Sequence, residues 1–193
     1  MKIISGSLKG RKIETNSKLN YRPTLSRIRE DVFNILAHNN LNKSSFGESI
    51  FADLCCGSGS IGIEALSRGA KNLYLIDNEQ NSLNIVKKNL SKIKSYDIES
   101  SVYIRKADAK KPFKNINLIF DIVLIDPPYN SSVIQECLPL LKEYNLIDNN
   151  SLIFAETSKQ ETIDVDNFKI LDTKFYGKSK LTIIKLLDLS SVE

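Results

Sequence analysis

The stretch Asp53-Leu54-Cys55-Cys56-Gly57-Ser58-Gly59-Ser60-Ile61-Gly62 constrains this chain more than any other. It sets glycines at a Gly-x-Gly-x-x-Gly spacing between a short apolar run, residues 50–54, and a helix-period segment reaching Arg68. A strand that turns into a helix through glycines is the opening half of a βαβ unit, and such units build a parallel sheet with helices on its faces. The chain downstream agrees. Apolar runs at 73–77, 102–104, 119–125 and 152–154 alternate with helical patterns, one with Leu83, Val86, Leu90 and Ile93 on a single stripe and another over 133–143. The run 119–125 has the continuous apolar character of a buried parallel strand. Residues 169–176, a turn at Gly177 and residues 181–187 read as an antiparallel hairpin. The expected fold is α/β: a Rossmann-like, doubly wound sheet whose last strand is antiparallel.

Upstream of this domain, residues 2–15 read as two short strands around Gly6 and Gly10, a small N-terminal β-hairpin. Residues 23–38 read as a helix with Ile28, Val32, Ile35 and Leu36 on one face. The polar stretch 39–48 is the natural boundary, which divides the chain into an arm, residues 1–40, and a domain, residues 41–193.

Charge separates the same two parts. Net charge is +4, yet residues 1–29 carry eight basic side chains against Glu14 alone, while the rest of the chain is net negative. A basic arm on a slightly acidic body is the pattern of a polyanion binder. Other classes drop out. No apolar run approaches the roughly 20 residues of a membrane span, and Met1-Lys2-Ile3-Ile4-Ser5-Gly6 has no signal-peptide character, so a cytoplasmic chain is expected. Three cysteines, Cys55, Cys56 and Cys137, make neither a disulfide framework nor a zinc site, and a single histidine, His38, argues against a histidine-based metal centre or triad. No metal is expected. His38 and Cys137 read as a helix-end residue and a core residue.

The glycine loop carries the first chemistry. Asp77 ends the second strand 20 residues after Gly57, where a carboxylate accepts hydrogen bonds from ribose hydroxyls. That pattern fits a nucleoside-containing cofactor, a nicotinamide dinucleotide included. Asp53 tips the balance, because an acid beneath the loop repels a pyrophosphate but suits the cationic aminoacyl part of S-adenosyl-L-methionine. Asp108, after the third strand, is placed either to accept from an adenine amino group or to serve as a turn acid.

The second chemistry is Asp126-Pro127-Pro128-Tyr129 at the end of the run 121–125. Two prolines fix a rigid turn and remove two backbone donors. An acceptor-only carboxylate, an exposed carbonyl and an aromatic ring together suit a planar base bearing an exocyclic amine. Asp126 and the Pro127 carbonyl can each accept one N–H, turning the nitrogen lone pair toward an incoming methyl, while Tyr129 can stack on the base. Glu64 and Arg68, four residues apart, read as a helix-surface pair without a catalytic role.

The glycine loop with Asp-Pro-Pro-Tyr resembles class I S-adenosylmethionine-dependent methyltransferases that modify exocyclic amines of bases. Within them the chain resembles the RsmD-type 16S ribosomal RNA guanine-N2 methyltransferases, on Ile4-x-Gly6-x-x-x-Gly10-Arg11-Lys12, Arg22-Pro23-Thr24, Arg27-Ile28-Arg29-Glu30 and Gly62-Ile63-Glu64-Ala65-Leu66-Ser67-Arg68-Gly69-Ala70. The resemblance covers nearly the whole chain and departs at Cys55-Cys56, where the family usually has an aromatic and then a small residue. It implies a seven-stranded sheet and methyl transfer from S-adenosyl-L-methionine to the N2 amine of a guanine in 16S rRNA, in a small ribosomal subunit or its assembly intermediate, by a monomer. The implied cofactor residues are Asp53, Cys55, Gly57, Ser58, Gly59, Asp77, Asn78, Asp108 and Ala109. The catalytic residues would be Asp126, Pro127, Pro128 and Tyr129, and the RNA contacts Lys9, Arg11, Lys12, Arg22, Thr24 and Arg27. Three other readings share parts of this pattern: an adenine-N6 methyltransferase of DNA or RNA, a nicotinamide-dependent oxidoreductase and a non-catalytic RNA-binding module.

Overall fold

The computed structural model describes residues 1–15, 23–38, 47–93, 100–111 and 116–187. Strands β1 (Ile50–Leu54), β2 (Asn72–Asp77), β3 (Ser101–Lys106), β4 (Ile122–Ile125), β5 (Leu152–Ser158), β6 (Phe168–Tyr176) and β7 (Ser179–Leu186) form one sheet in the order β3-β2-β1-β4-β5-β7-β6. The first five run parallel. β7 inserts between β5 and β6, antiparallel to both. From β1 the chain winds outward to β3, then returns to β4 on the other side. That reversal opens a crevice at the carboxyl ends of β1 and β4, where open α/β sheets bind ligands.

Period-2 alternation sorts the strand side chains onto two cores. Phe51, Leu73, Leu75, Ile122, Leu124, Leu152 and Phe154 pack under helices α1 (Pro23–His38), α2 (Ser60–Ser67) and α3 (Gln80–Ile93). Ala52, Leu54, Ile76, Val123, Ile125, Ile153 and Ala155 face α4 (Val133–Glu143), which contributes Ile134, Cys137, Leu138 and Leu141. The same alternation, followed to the carboxyl end of each strand, decides which acids enter the crevice.

Two expectations are corrected here. The run 119–125 is strand only from Ile122: the Phe120 N–H turns away to the Leu146 carbonyl at 2.7 Å, and Ile119 is 44% exposed. Glu64 and Arg68 are not a surface pair, since Glu64 is 0% exposed. Its carboxylate accepts the Ile4 N–H at 2.7 Å, the Ser5 N–H at 2.9 Å and Arg68 Nε at 2.9 Å, with Arg29 Nε 3.8 Å away. The cause is the arm, which lies over α2 and turns a helix surface into protein interior.

Residues 1–13 of the arm form a looped hairpin with a single bridge, Lys2 to Lys12, closed by the Ile3 N–H on the Arg11 carbonyl and the Gly10 N–H on the Ile3 carbonyl, both at 2.9 Å. Ile3, Leu8 and Ile13 join the core under α1 and α2. Gly6 sits at φ +84°, and a Cβ there would lie 1.7 Å from the Ser67 carbonyl oxygen, so only glycine lets the arm approach the helix this closely.

Candidate active site

The carboxyl end of the sheet gathers acids on the α1–α3 face. Asp53 and Asp126 follow Phe51 and Leu124 by two residues and share their face, and Asp77 follows Leu75 on β2 in the same way. Asp53 is 2% exposed, and its Oδ2 accepts the Gly62 N–H at 3.0 Å. Burial, and secondarily the charge of Asp77, push its pKa up to about 7. Asp126 is partly buried, and it too is held well above the ordinary carboxylate range, by burial first and then by the charges of Glu156 and Asp53.

The glycine loop wraps over these acids. Gly57 and Gly59 have φ of +55° and +72°. A Cβ on Gly62 would lie 2.4 Å from Leu75 Cδ2, so glycine there sets how closely α2 approaches β2. Cys55 takes φ +62°, an uncommon conformation for a side-chain-bearing residue. Its thiol is pushed up to about 12 by burial and by the surrounding Asp77, Asp126, Asp53 and Asp108, which keeps it a neutral lining group rather than a nucleophile. Asp77 uses both oxygens on backbone: Oδ2 accepts the Gly57 N–H and Oδ1 the Glu79 N–H, each at 2.8 Å. A carboxylate oxygen has a second lone pair, so capacity for ribose hydroxyls remains. Ser58 is half-buried and Asn78 exposed at the loop's rim.

Asp108 Oδ1 accepts the Lys110 N–H at 3.0 Å, the turn arrangement, and Ala109 beside it is 6% exposed in the α4-side core. In the Asp-Pro-Pro-Tyr turn, Pro127 is buried, Pro128 exposed and Tyr129 half-buried. The Tyr129 phenol donates to Glu156 Oε1 at 3.2 Å and also meets Ser179 Oγ. Sequence reasoning missed Glu156. The signal was a lone acid two residues beyond Phe154, in the same phase that Asp126 holds beyond Leu124.

On the arm, Lys9, Arg11 and Lys12 are exposed, as is Arg27 on α1. Arg22 and the side chain of Thr24 lie outside the described residues. Asn89, a residue the sequence did not single out, joins arm to loop. It is 3% exposed on α3 and bonds the main chain of Glu14 and the carbonyl of Ser58, the latter at 3.0 Å. Among the described residues no group of three or more His, Cys, Asp or Glu side chains could hold a metal ion.

Comparisons with known proteins agree with this geometry. The family model described as "Conserved hypothetical protein 95" matches residues 1–185. A ribosomal RNA small subunit methyltransferase D of Buchnera aphidicola is 36% identical over 84% of this chain and 81% of its own length. An uncharacterized methylase of Rickettsia prowazekii is 32% identical over 96% and 97%. Among solved structures, a candidate methyltransferase of Escherichia coli, yhhF, superposes with a TM-score of 0.79 at 26% identity over 97% of this chain and 98% of that one. With a family match over nearly the whole chain and a seven-stranded sheet whose last strand is antiparallel, the chain belongs to this family, the RsmD-type methyltransferases.

Proposed function

We propose that this protein transfers a methyl group from S-adenosyl-L-methionine to the exocyclic N2 amine of a guanine in 16S rRNA, presented by a small ribosomal subunit or its assembly intermediate. The observation that carries the reading is the gathering of Asp53, Asp77, Asp126 and Glu156 at the carboxyl end of the sheet, where like charges repel one another. Burial first, and then the charge of Asp77, raises Asp53; burial first, and then the charges of Glu156 and Asp53, raises Asp126. A ligand bearing positive charge relieves that repulsion, whereas the pyrophosphate of a nicotinamide dinucleotide adds to it. The donor set fits S-adenosylmethionine: Asp53 for the aminoacyl ammonium, Asp77 with the Gly57–Gly59 backbone for the ribose, and Asp108 and Ala109 beside the adenine. Bound there, it supplies an electrophilic methyl on a cationic sulfur.

The protein's own part is to bind and orient. Asp126 accepts an amine N–H and turns the nitrogen lone pair toward the methyl. Tyr129 offers a stacking face worth about 1–3 kcal/mol per base. Rate enhancement then comes mostly from proximity. The base must leave its stack to enter the crevice. Lys9, Arg11, Lys12, Arg22 and Arg27 would meet phosphates, and Thr24 the sugar-phosphate backbone beside them. The names of relatives such as the Buchnera protein support an rRNA substrate, and the arm motifs support guanine N2 over adenine N6.

The test is methyl transfer from labelled cofactor to unmodified small-subunit particles, free 16S rRNA and DNA, followed by nucleoside analysis. N2-methylguanosine from the RNA is expected. N6-methyladenosine would overturn the base assignment, and transfer to DNA alone would overturn the substrate.

A further inference from the structure

Glu156 stands in a strand where an acid is costly. It is 2% exposed in β5, among Ile153, Phe154 and Ala155, and burial of a charged group needs compensation. Parallel pairing sets Ile125 of β4 beside Ala155 of β5, so the chain positions that follow, Asp126 and Glu156, lie side by side at the crevice. Antiparallel pairing sets Ser158 opposite Ser179, which brings the Ser179 hydroxyl to the same place. Both side chains meet the phenol of Tyr129. The proton count works: the phenol donates to Glu156 Oε1, which leaves its oxygen free to accept from Ser179. The next residue is held from the same strand end. Asn130, at φ +57°, donates its N–H to Glu161 Oε1 at 3.0 Å, while Glu161 Oε2 accepts the Ser158 N–H at 2.7 Å.

We propose that Glu156, with Ser179, is a positioning residue for methyl transfer: it pins the far end of the Tyr129 ring, so that the ring forms a fixed wall against which the target base is placed beside Asp126. This rests on the reading of Asp126–Tyr129 as the base-binding turn. A ring tethered only through its Cα would adopt several orientations, and the base stacked on it would share that freedom. A misplacement of about 1 Å can cost about 100-fold in rate.

The experiment compares Glu156→Gln, Glu156→Leu, Tyr129→Phe and the double variant Glu156→Leu/Tyr129→Phe, using methyl transfer to unmodified small-subunit particles. Gln keeps an acceptor and the volume, so kcat within about 3-fold of wild type is expected. Glu156→Leu and Tyr129→Phe should each lower kcat about 10- to 100-fold, with KM for RNA and cofactor Kd changing less than about 3-fold. The double variant should be no worse than Tyr129→Phe alone, because loss of the phenol already removes its contact with Glu156. Losses that multiply, or wild-type kcat in Glu156→Leu, overturn the proposal. Tyrosine-selective NMR, with the Tyr129 signal assigned by Tyr129→Phe, reads the tether without activity: ring signals of one fixed side-chain rotamer in wild type and rotamer-averaged ones in Glu156→Leu are expected, and averaging in both overturns it. An enzyme inactive on every nucleic acid but with Tyr129 held in one rotamer would instead sink the base-binding reading.

Discussion

Asn89 and Glu14 grip each other twice: the Glu14 N–H donates to Asn89 Oδ1 at 2.8 Å, and Asn89 Nδ2 donates back to the Glu14 carbonyl at 2.9 Å. The remaining amide proton goes to the Ser58 carbonyl in the glycine loop. One carboxamide therefore ties the end of the basic arm to the loop, and Lys88 and Lys92 of the same helix hold the Glu14 carboxylate. Replacing Asn89 by Leu orphans the Glu14 N–H and releases Ser58. Cofactor affinity should fall about 5- to 30-fold, the equivalent of about 1–2 kcal/mol. Calorimetry on the purified variant checks this, and an unchanged Kd would confine Asn89 to the arm.

Glu64→Ala should be among the most destabilising single changes in the chain. It leaves Arg29, 1% exposed, without its carboxylate and removes the acceptor of the Ile4 and Ser5 N–H groups. Loss of one partner in a buried ion pair costs about 3–5 kcal/mol. Urea denaturation gives the difference directly, and a value below about 1 kcal/mol would contradict the clamp.

Asp53 makes stability and cofactor binding depend on pH. Its folded pKa of about 7 lies above the unfolded value near 3.9. The folded state thus holds the proton more tightly, and stability declines as pH rises between about 4 and about 7. Asp53→Asn should flatten that part of the profile and leave the free protein more stable than wild type at pH 8, by about 2–4 kcal/mol. A cationic cofactor favours ionised Asp53, so its binding at pH 7 should release about half a proton. Titrations in buffers of different ionisation enthalpy measure this; proton uptake would reverse the assigned charge of the ligand's contact.

The arm's role is tested by charge rather than by deletion. Removing residues 1–20 would also strip Ile3, Leu8 and Ile13 from the core and leave Glu64 without two of its donors. Replacing exposed Lys9, Arg11 and Lys12 together by Gln spares those contacts. The slope of log affinity for RNA against log salt should become shallower by about 2–3, at roughly 0.7–0.9 per lost phosphate contact. An identical slope would make the arm purely structural.

How legible the molecule was depended on whether neighbours in sequence decided the outcome. β1, β2, α2 and α4 were readable because period and glycine spacing are local properties, and Asp53, Asp77 and Asp126 because each stands at or next to the end of a strand. Glu64 was misread for the same reason in reverse: i,i+4 spacing says helix surface, and nothing local says that residues 3–8 will cover it. Asn89 sits three residues after Val86 and four before Ile93, in the apolar stripe of α3, yet its partners lie 31 and 75 positions away. Glu156 needed strand phase carried across the sheet from β4 to β5. Sites built by distant segments leave only one trace in a sequence, a polar residue where the pattern calls for an apolar one.

The clamp on Glu64 also fixes an order of events during synthesis. Ile4 and Ser5 leave the ribosome about 60 residues ahead of the carboxylate that will hold them, which at 5–20 residues per second is about 3–12 s. Through that interval the arm has neither Glu64 nor Ser67 to dock on, while its lysines and arginines are already outside. Under the proposed function the chain is thus born beside its own substrate class with its most cationic segment undocked, and translation speed between the arm and Glu64 sets how long that segment stays loose.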